Sequence, residues 1–182
     1  MRKNILMTIA CLLLALTAMA QSNSERVAEI RKMYAQAKKN TAAAEKNEKA
    51  GKPSNITVAQ SNYNLTDGTP GKVATHYYYE ATEIEETDRV VFQPYFITNK
   101  YDVGSYKYYQ EFLFDSDGNL AFYYERNDGN ETRFYYAKNG EDTSEGIVHE
   151  INSNGRTIEP PFANSIASAL TMAFNLLMNR EF

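Results

Sequence analysis

Between Tyr77 and Tyr136, 18 of 60 residues are Tyr or Phe. A segment so rich in aromatic rings is suited to a pleated surface, where each ring packs against cross-strand neighbours. Turn signals divide it. Asp117-Gly118, Asp128-Gly129 and Asn139-Gly140 recur every 11 residues, which fits a strand of about eight residues followed by a three-residue turn. Asp67-Gly68 and Asn154-Gly155 extend the series on either side. In a three-residue hairpin loop a type I turn is followed by a left-handed residue, a conformation that Gly adopts without steric cost. Ser116-Asp117-Gly118 and Asn127-Asp128-Gly129 both place Gly in that third slot.

Turn type fixes register, and register fixes faces. Centring the first hairpin on Asp117 sets Phe114 opposite Leu120 and Phe112 opposite Phe122. Centring the second on Asp128 sets Phe122 opposite Phe134 and Leu120 opposite Tyr136. Two-residue loops would pair Phe122 with Leu113 and Tyr135, mixing the Phe residues with Arg133 and Glu131, so three-residue loops are expected. One inner apolar face results. The outer face then carries Tyr109, Glu111, Tyr123, Glu125, Glu131, Arg133 and Tyr135, with Tyr123 opposite both Glu111 and Arg133. Glu125 facing Glu131 is a small repulsive cost.

The flanks read as helices. From Ser22 to about Lys49, Ser22 and Glu25 have capping-box spacing, and an apolar stripe runs through Val27, Ile30, Tyr34 and Ala37. The stripe thins at Thr41 and Ala44, which predicts a fraying end and a linker through Gly51-Lys52-Pro53. Residues 162 to 179 carry no charge, and Ile166, Leu170, Phe174 and Leu177 recur at helical spacing after Pro160-Pro161. This helix is expected to be buried on the sheet. The fold class is therefore α+β: an N-terminal helix, an antiparallel β-meander of about six to seven strands, and a C-terminal apolar helix packed on the sheet. The expected divisions are 1–20, a signal peptide; 21–54, the first helix and linker; and 55–182, a single β-rich domain.

The first division rests on order of composition. Arg2 and Lys3 precede an apolar run from Ile5 to Leu16, and Ala18-Met19-Ala20 gives the small-x-small pattern of signal-peptidase cleavage. A spanning anchor needs about 20 apolar residues. Cys11 lies inside the run with Leu12, Leu13 and Leu14 still to come, whereas a lipid-bearing Cys closes such a run. Cleavage before Gln21 predicts a periplasmic or extracellular product with no transmembrane anchor and, since Cys11 is the only cysteine, no disulfide and no thiol. The remaining 17 basic and 23 acidic residues build no basic face for nucleic acid.

Motifs of catalysis are absent. His76 and His149 have no spaced partner of metal-binding type, and neither G-x-S-x-G nor a phosphate-cradling glycine pattern occurs. Asp115-Ser116-Asp117-Gly118-Asn119 resembles a calcium loop, but Leu120 and Arg126 stand where that loop needs Gly and Glu. No cofactor or metal is implied. The expected function is a non-catalytic binding or interaction module for a protein, peptide or glycan, with Tyr109, Glu111, Tyr123, Arg133 and Tyr135 as its surface, since Tyr offers area and a hydroxyl at little entropic cost. Trp is absent, which weighs against a glycan. The alternative is a secreted hydrolase using carboxylates among Glu80, Glu83, Glu85, Glu86 and Asp88, or Glu111 with Glu125.

The texts Glu29-Ile-Arg-Lys-Met-Tyr34, Phe112-Leu-Phe-Asp-Ser-Asp-Gly-Asn-Leu-Ala-Phe122 and Arg133-Phe-Tyr-Tyr136 together resemble a group of uncharacterised exported domains of Gram-negative bacteria. That resemblance implies a periplasmic or surface location, an N-terminal helix and a Tyr-rich meander. It carries no catalytic residue or ligand with it.

Overall fold

The computed structural model describes residues 2–85, 89–127, 129–138, 146–152 and 161–178. Helix α1 spans Arg2–Lys49, and seven strands follow: β1 (Ile56–Asn64), β2 (Pro70–Ile84), β3 (Arg89–Val103), β4 (Tyr106–Phe114), β5 (Leu120–Asn127), β6 (Asn130–Tyr136) and β7 (Ile147–Asn152). Helix α2, Pro161–Met178, closes the order. All neighbouring strands pair antiparallel in sequence order, β1 to β7, so the sheet is a plain meander. The α+β architecture expected from periodicity is the one observed.

The end of α1 is set by local chemistry. Gly51 has φ 65°, its N–H donates to the Glu48 carbonyl at 2.9 Å, and the Lys52 N–H donates to the Asn47 carbonyl at 2.9 Å. This pair of bonds is the Schellman ending, which needs a left-handed residue after the helix and therefore favours Gly. The second half of α1 does not fray as its thin stripe predicted. Thr41 is buried, Ala44 packs beside the core, and the Tyr78 hydroxyl donates to the Glu45 carboxylate at 2.6 Å.

The sheet has two apolar faces rather than one. Val27, Ile30 and Ala37 of α1 pack with Tyr78, Phe96, Leu113, Ala121, Phe122 and Tyr135 on one face. Ala163, Ala167 and Phe174 of α2 pack with Tyr77, Ile97, Phe112, Tyr123, Phe134 and Tyr136 on the other. Helix, sheet and helix thus form three layers. Helix α2 packs on the sheet as expected, burying Ala163, Ala167 and Phe174, while Met172 and Leu176 on its other side stay exposed.

The expected register of β5 is corrected as well. Phe114 pairs with Leu120 as the three-residue turn requires, but the next pairs are Leu113 with Phe122 and Phe112 with Tyr123. Ala121 is the extra residue of a bulge, and one extra residue sends the rest of a strand to the opposite face. The following turn then restores the register. Asn127 pairs with Asn130, leaving a two-residue loop with Gly129 at φ 83°, the connection that Asp-Gly favours. Phe122 accordingly pairs with Tyr135 and Tyr123 with Phe134. The expectation had assumed one apolar face; with α1 covering the second, Phe122 gains a buried place there, its ring 5.0 Å from that of Tyr34. The Asn139-Gly140 and Asn154-Gly155 signals lie outside the described residues.

Candidate functional site

On the α1 face the registers align side chains into rows. Phe96, Leu113, Phe122 and Tyr135 form the row beneath the helix; Thr98, Glu111, Tyr124 and Arg133 form the next; Lys100, Tyr109, Arg126 and Glu131 form the third. The helix caps the first row and borders the other two. Beside it opens a chamber of about 520 Å³, within the ~300–1,000 Å³ typical of small-molecule sites.

Helix α1 contributes Arg31, Tyr34 and Lys38 to the wall, three residues whose spacing puts them on one side of a helix. The floor comes from Tyr109 and Glu111 of β4, Phe122, Tyr124 and Arg126 of β5, and Arg133 and Tyr135 of β6. Glu111 is the organising group. Its buried carboxylate accepts from the Tyr34 hydroxyl at 2.5 Å, the Tyr109 hydroxyl at 2.7 Å and Lys38 Nζ at 2.8 Å. Burial, and next the hydrogen bond to Glu111 and its charge, push the Tyr34 phenol well above its ordinary range. Tyr109 is raised by the same causes, so both rings keep their protons and donate.

The remaining cations are arranged around rings. Arg133 lies 2.6 Å from Glu131 and 5.3 Å from the centre of the Tyr124 ring. The Tyr124 hydroxyl donates to Glu131 at 2.9 Å. Arg31 lies over Tyr135 and Arg126 over Tyr109, each at 5.8 Å from the ring centre. Such contacts hold a guanidinium in place without using up its N–H donors.

Of the five residues expected to form a binding surface, Tyr109, Glu111, Arg133 and Tyr135 come together here. Tyr123 does not. It is 3% exposed in the α2-side core, where its hydroxyl accepts from Gln110 at 2.9 Å and donates to Glu125. Its expected position opposite both Glu111 and Arg133 belongs to Tyr124, a one-residue displacement caused by the bulge at Ala121. The expected open platform of three rings is also corrected, since α1 covers that face and Tyr135 is buried. Arg31, Lys38, Tyr124 and Arg126 went unrecognised in the sequence, although the spacing of Arg31, Tyr34 and Lys38 was visible there.

The carboxylate pair fares differently. Glu111 sits on the α1 face opposite Tyr124, and Glu125 on the α2 face opposite Gln110, so the two cannot flank one substrate bond. Glu80, Glu83 and Glu85 are exposed near the end of the β2–β3 hairpin, and Glu86 and Asp88 lie outside the described residues. His76 is half-buried against Tyr78, with 6.4 Å between ring centres; of His149, the backbone pairs with Tyr135. No helix among the described residues is long and apolar enough to cross a membrane. No protein-family model matches the chain, and no curated protein or solved structure matches it significantly.

Proposed function

We propose that this protein is an exported, non-catalytic binding module, and that the chamber between α1 and strands β4 to β6 is its ligand site. The observation that carries the reading is a concave space lined by Tyr and Arg side chains whose positions are fixed by ring contacts and by the Glu111 hydrogen bonds. Preorganised aromatic and guanidinium groups give affinity at low entropic cost. A catalytic reading finds less support, because the one carboxylate in the lining is already engaged by three donors and its expected partner is on the other face. Export rests on the charged, apolar and small-residue sequence of residues 1 to 20, with a periplasmic or extracellular destination.

Fragment screening by amide NMR tests the site. Fragments should shift resonances of residues lining the chamber, Tyr34, Tyr109 and Tyr124 among them, before those of any other surface. Binding confined to other surfaces would contradict the assignment.

A further inference from the structure

We infer that the chamber receives the oxyanion end of a small ligand, a carboxylate or a phosphate, at one of two guanidinium groups, Arg31 or Arg126; this rests on the reading of the chamber as a ligand site. Charge segregation points to it. The whole chain carries 23 acidic and 19 basic residues, yet the chamber is lined by four cations and a single carboxylate. A site drawn at random from this composition would lean the other way. The second cavity, between the turn after β4 and α2, has no charged side chain in its lining.

The four cations differ in what already engages them. Lys38 is matched by Glu111 at 2.8 Å and Arg133 by Glu131 at 2.6 Å. Among the described residues, neither Arg31 nor Arg126 has a carboxylate within ion-pair distance. The Tyr34 and Tyr109 hydroxyls donate to Glu111, and that of Tyr124 donates to Glu131. The protons of these three hydroxyls are thus committed, while among the described residues the Arg31 and Arg126 guanidinium groups make no ion pair. A guanidinium has five N–H donors and no acceptor, in a fork that matches a carboxylate or phosphate. A neutral acceptor finds the protons of these three hydroxyls taken; an oxyanion finds a guanidinium fork at Arg31 or at Arg126.

The lining also suits the rest of the ligand. Phe122 and Tyr124 present ring surface in the same space, which suits an apolar or planar body attached to the oxyanion. The volume of about 520 Å³ accommodates a small molecule rather than a folded partner.

The test titrates the isotopically labelled protein at low salt with phenyl phosphate and benzoate, and with their neutral counterparts benzyl alcohol and benzamide. The anions should shift amides of Arg31, Tyr109, Arg126 and Arg133 and bind at least about tenfold more tightly than the neutral probes. Added salt should weaken only the anions, and Arg31→Gln with Arg126→Gln should abolish their advantage while neutral binding persists. The stronger of the two anions identifies phosphate or carboxylate as the natural head group. Neutral probes binding the chamber as tightly as anions, or anion affinity unchanged in the double variant, would overturn the inference and leave the binding site standing. If no probe shifts chamber resonances, both the inference and the site assignment fail.

Discussion

Lys38 Nζ of the first helix lies 2.8 Å from Glu111 Oε1 in the middle of the sheet, and the two ends of that contact differ in environment. The Lys38 side chain is 44% exposed and that of Glu111 is 4% exposed. Glu111→Gln replaces the common acceptor of three donors with an amide that cannot accept them all, and should cost about 2–3 kcal/mol. Lys38→Met should cost about 1 kcal/mol or less, because a well-solvated partner contributes little and both Tyr hydroxyls still satisfy the carboxylate. Urea unfolding compares them. A larger loss for Lys38→Met would contradict this ordering.

The bulge at Ala121 makes a prediction about coupling. Phe122 and Tyr135 meet edge to face at 5.0 Å, whereas Phe134 stacks on Tyr123 on the opposite side of the sheet. Double-mutant cycles with Leu substitutions should give about 0.5–1.5 kcal/mol for Phe122 with Tyr135, and close to zero for Phe122 with Phe134. Phe122→Ala alone should cost about 3–5 kcal/mol, as expected for a fully buried ring. Appreciable coupling of Phe122 to Phe134 would restore the register without the bulge.

Alkaline pH should unfold the protein. Burial raises the phenols of Tyr95 and Tyr101 from the ordinary 10.0 to about 12, and burial likewise raises Tyr34, Tyr78, Tyr109 and Tyr123. The folded state then holds more protons than the unfolded state above pH 10. Stability therefore stays at its full value below that pH and falls as pH rises from about 10 towards 12. The absorbance of these six tyrosinates should appear late and together with the loss of tertiary circular dichroism. Titration of these six residues near pH 10 in a protein that remains folded would contradict the burial of their hydroxyls.

Export has a direct mass readout. The product recovered outside the cytoplasm should lack residues 1 to 20 and begin at Gln21, unmodified or cyclised. A product that retains Cys11 with an added acyl mass would make the chain a lipoprotein instead.

Much of the fold was legible because its signals are local. The stripe Val27, Ile30, Tyr34 and Ala37 marked the sheet-facing side of α1, with Val27, Ile30 and Ala37 buried, and Phe112, Phe114, Phe134 and Tyr136 were correctly grouped on one face. The face of Phe122 was not legible. A bulge at Ala121 depends on what both helices need to cover, which is tertiary information, and the shorter Asp-Gly turn cancels its effect before β6 begins. For that reason the β4 and β6 members of the expected surface, Tyr109, Glu111, Arg133 and Tyr135, meet at the chamber while β5 supplies Tyr124 in place of Tyr123. The contribution of α1 was missed because its stripe was read for apolar residues alone, and Arg31 and Lys38 flank that stripe.

A crystal structure of the protein with phenyl phosphate bound tests most directly whether Arg31 or Arg126, neither of them ion-paired among the described residues, holds an oxyanion in the chamber. The phosphate should lie in the chamber with oxygens about 2.7–2.9 Å from guanidinium nitrogens of Arg31 or Arg126, its ring directed towards Phe122 and Tyr124. A chamber left empty while phenyl phosphate occupies another surface, or a bound molecule whose phosphate turns away from both arginines, would contradict it.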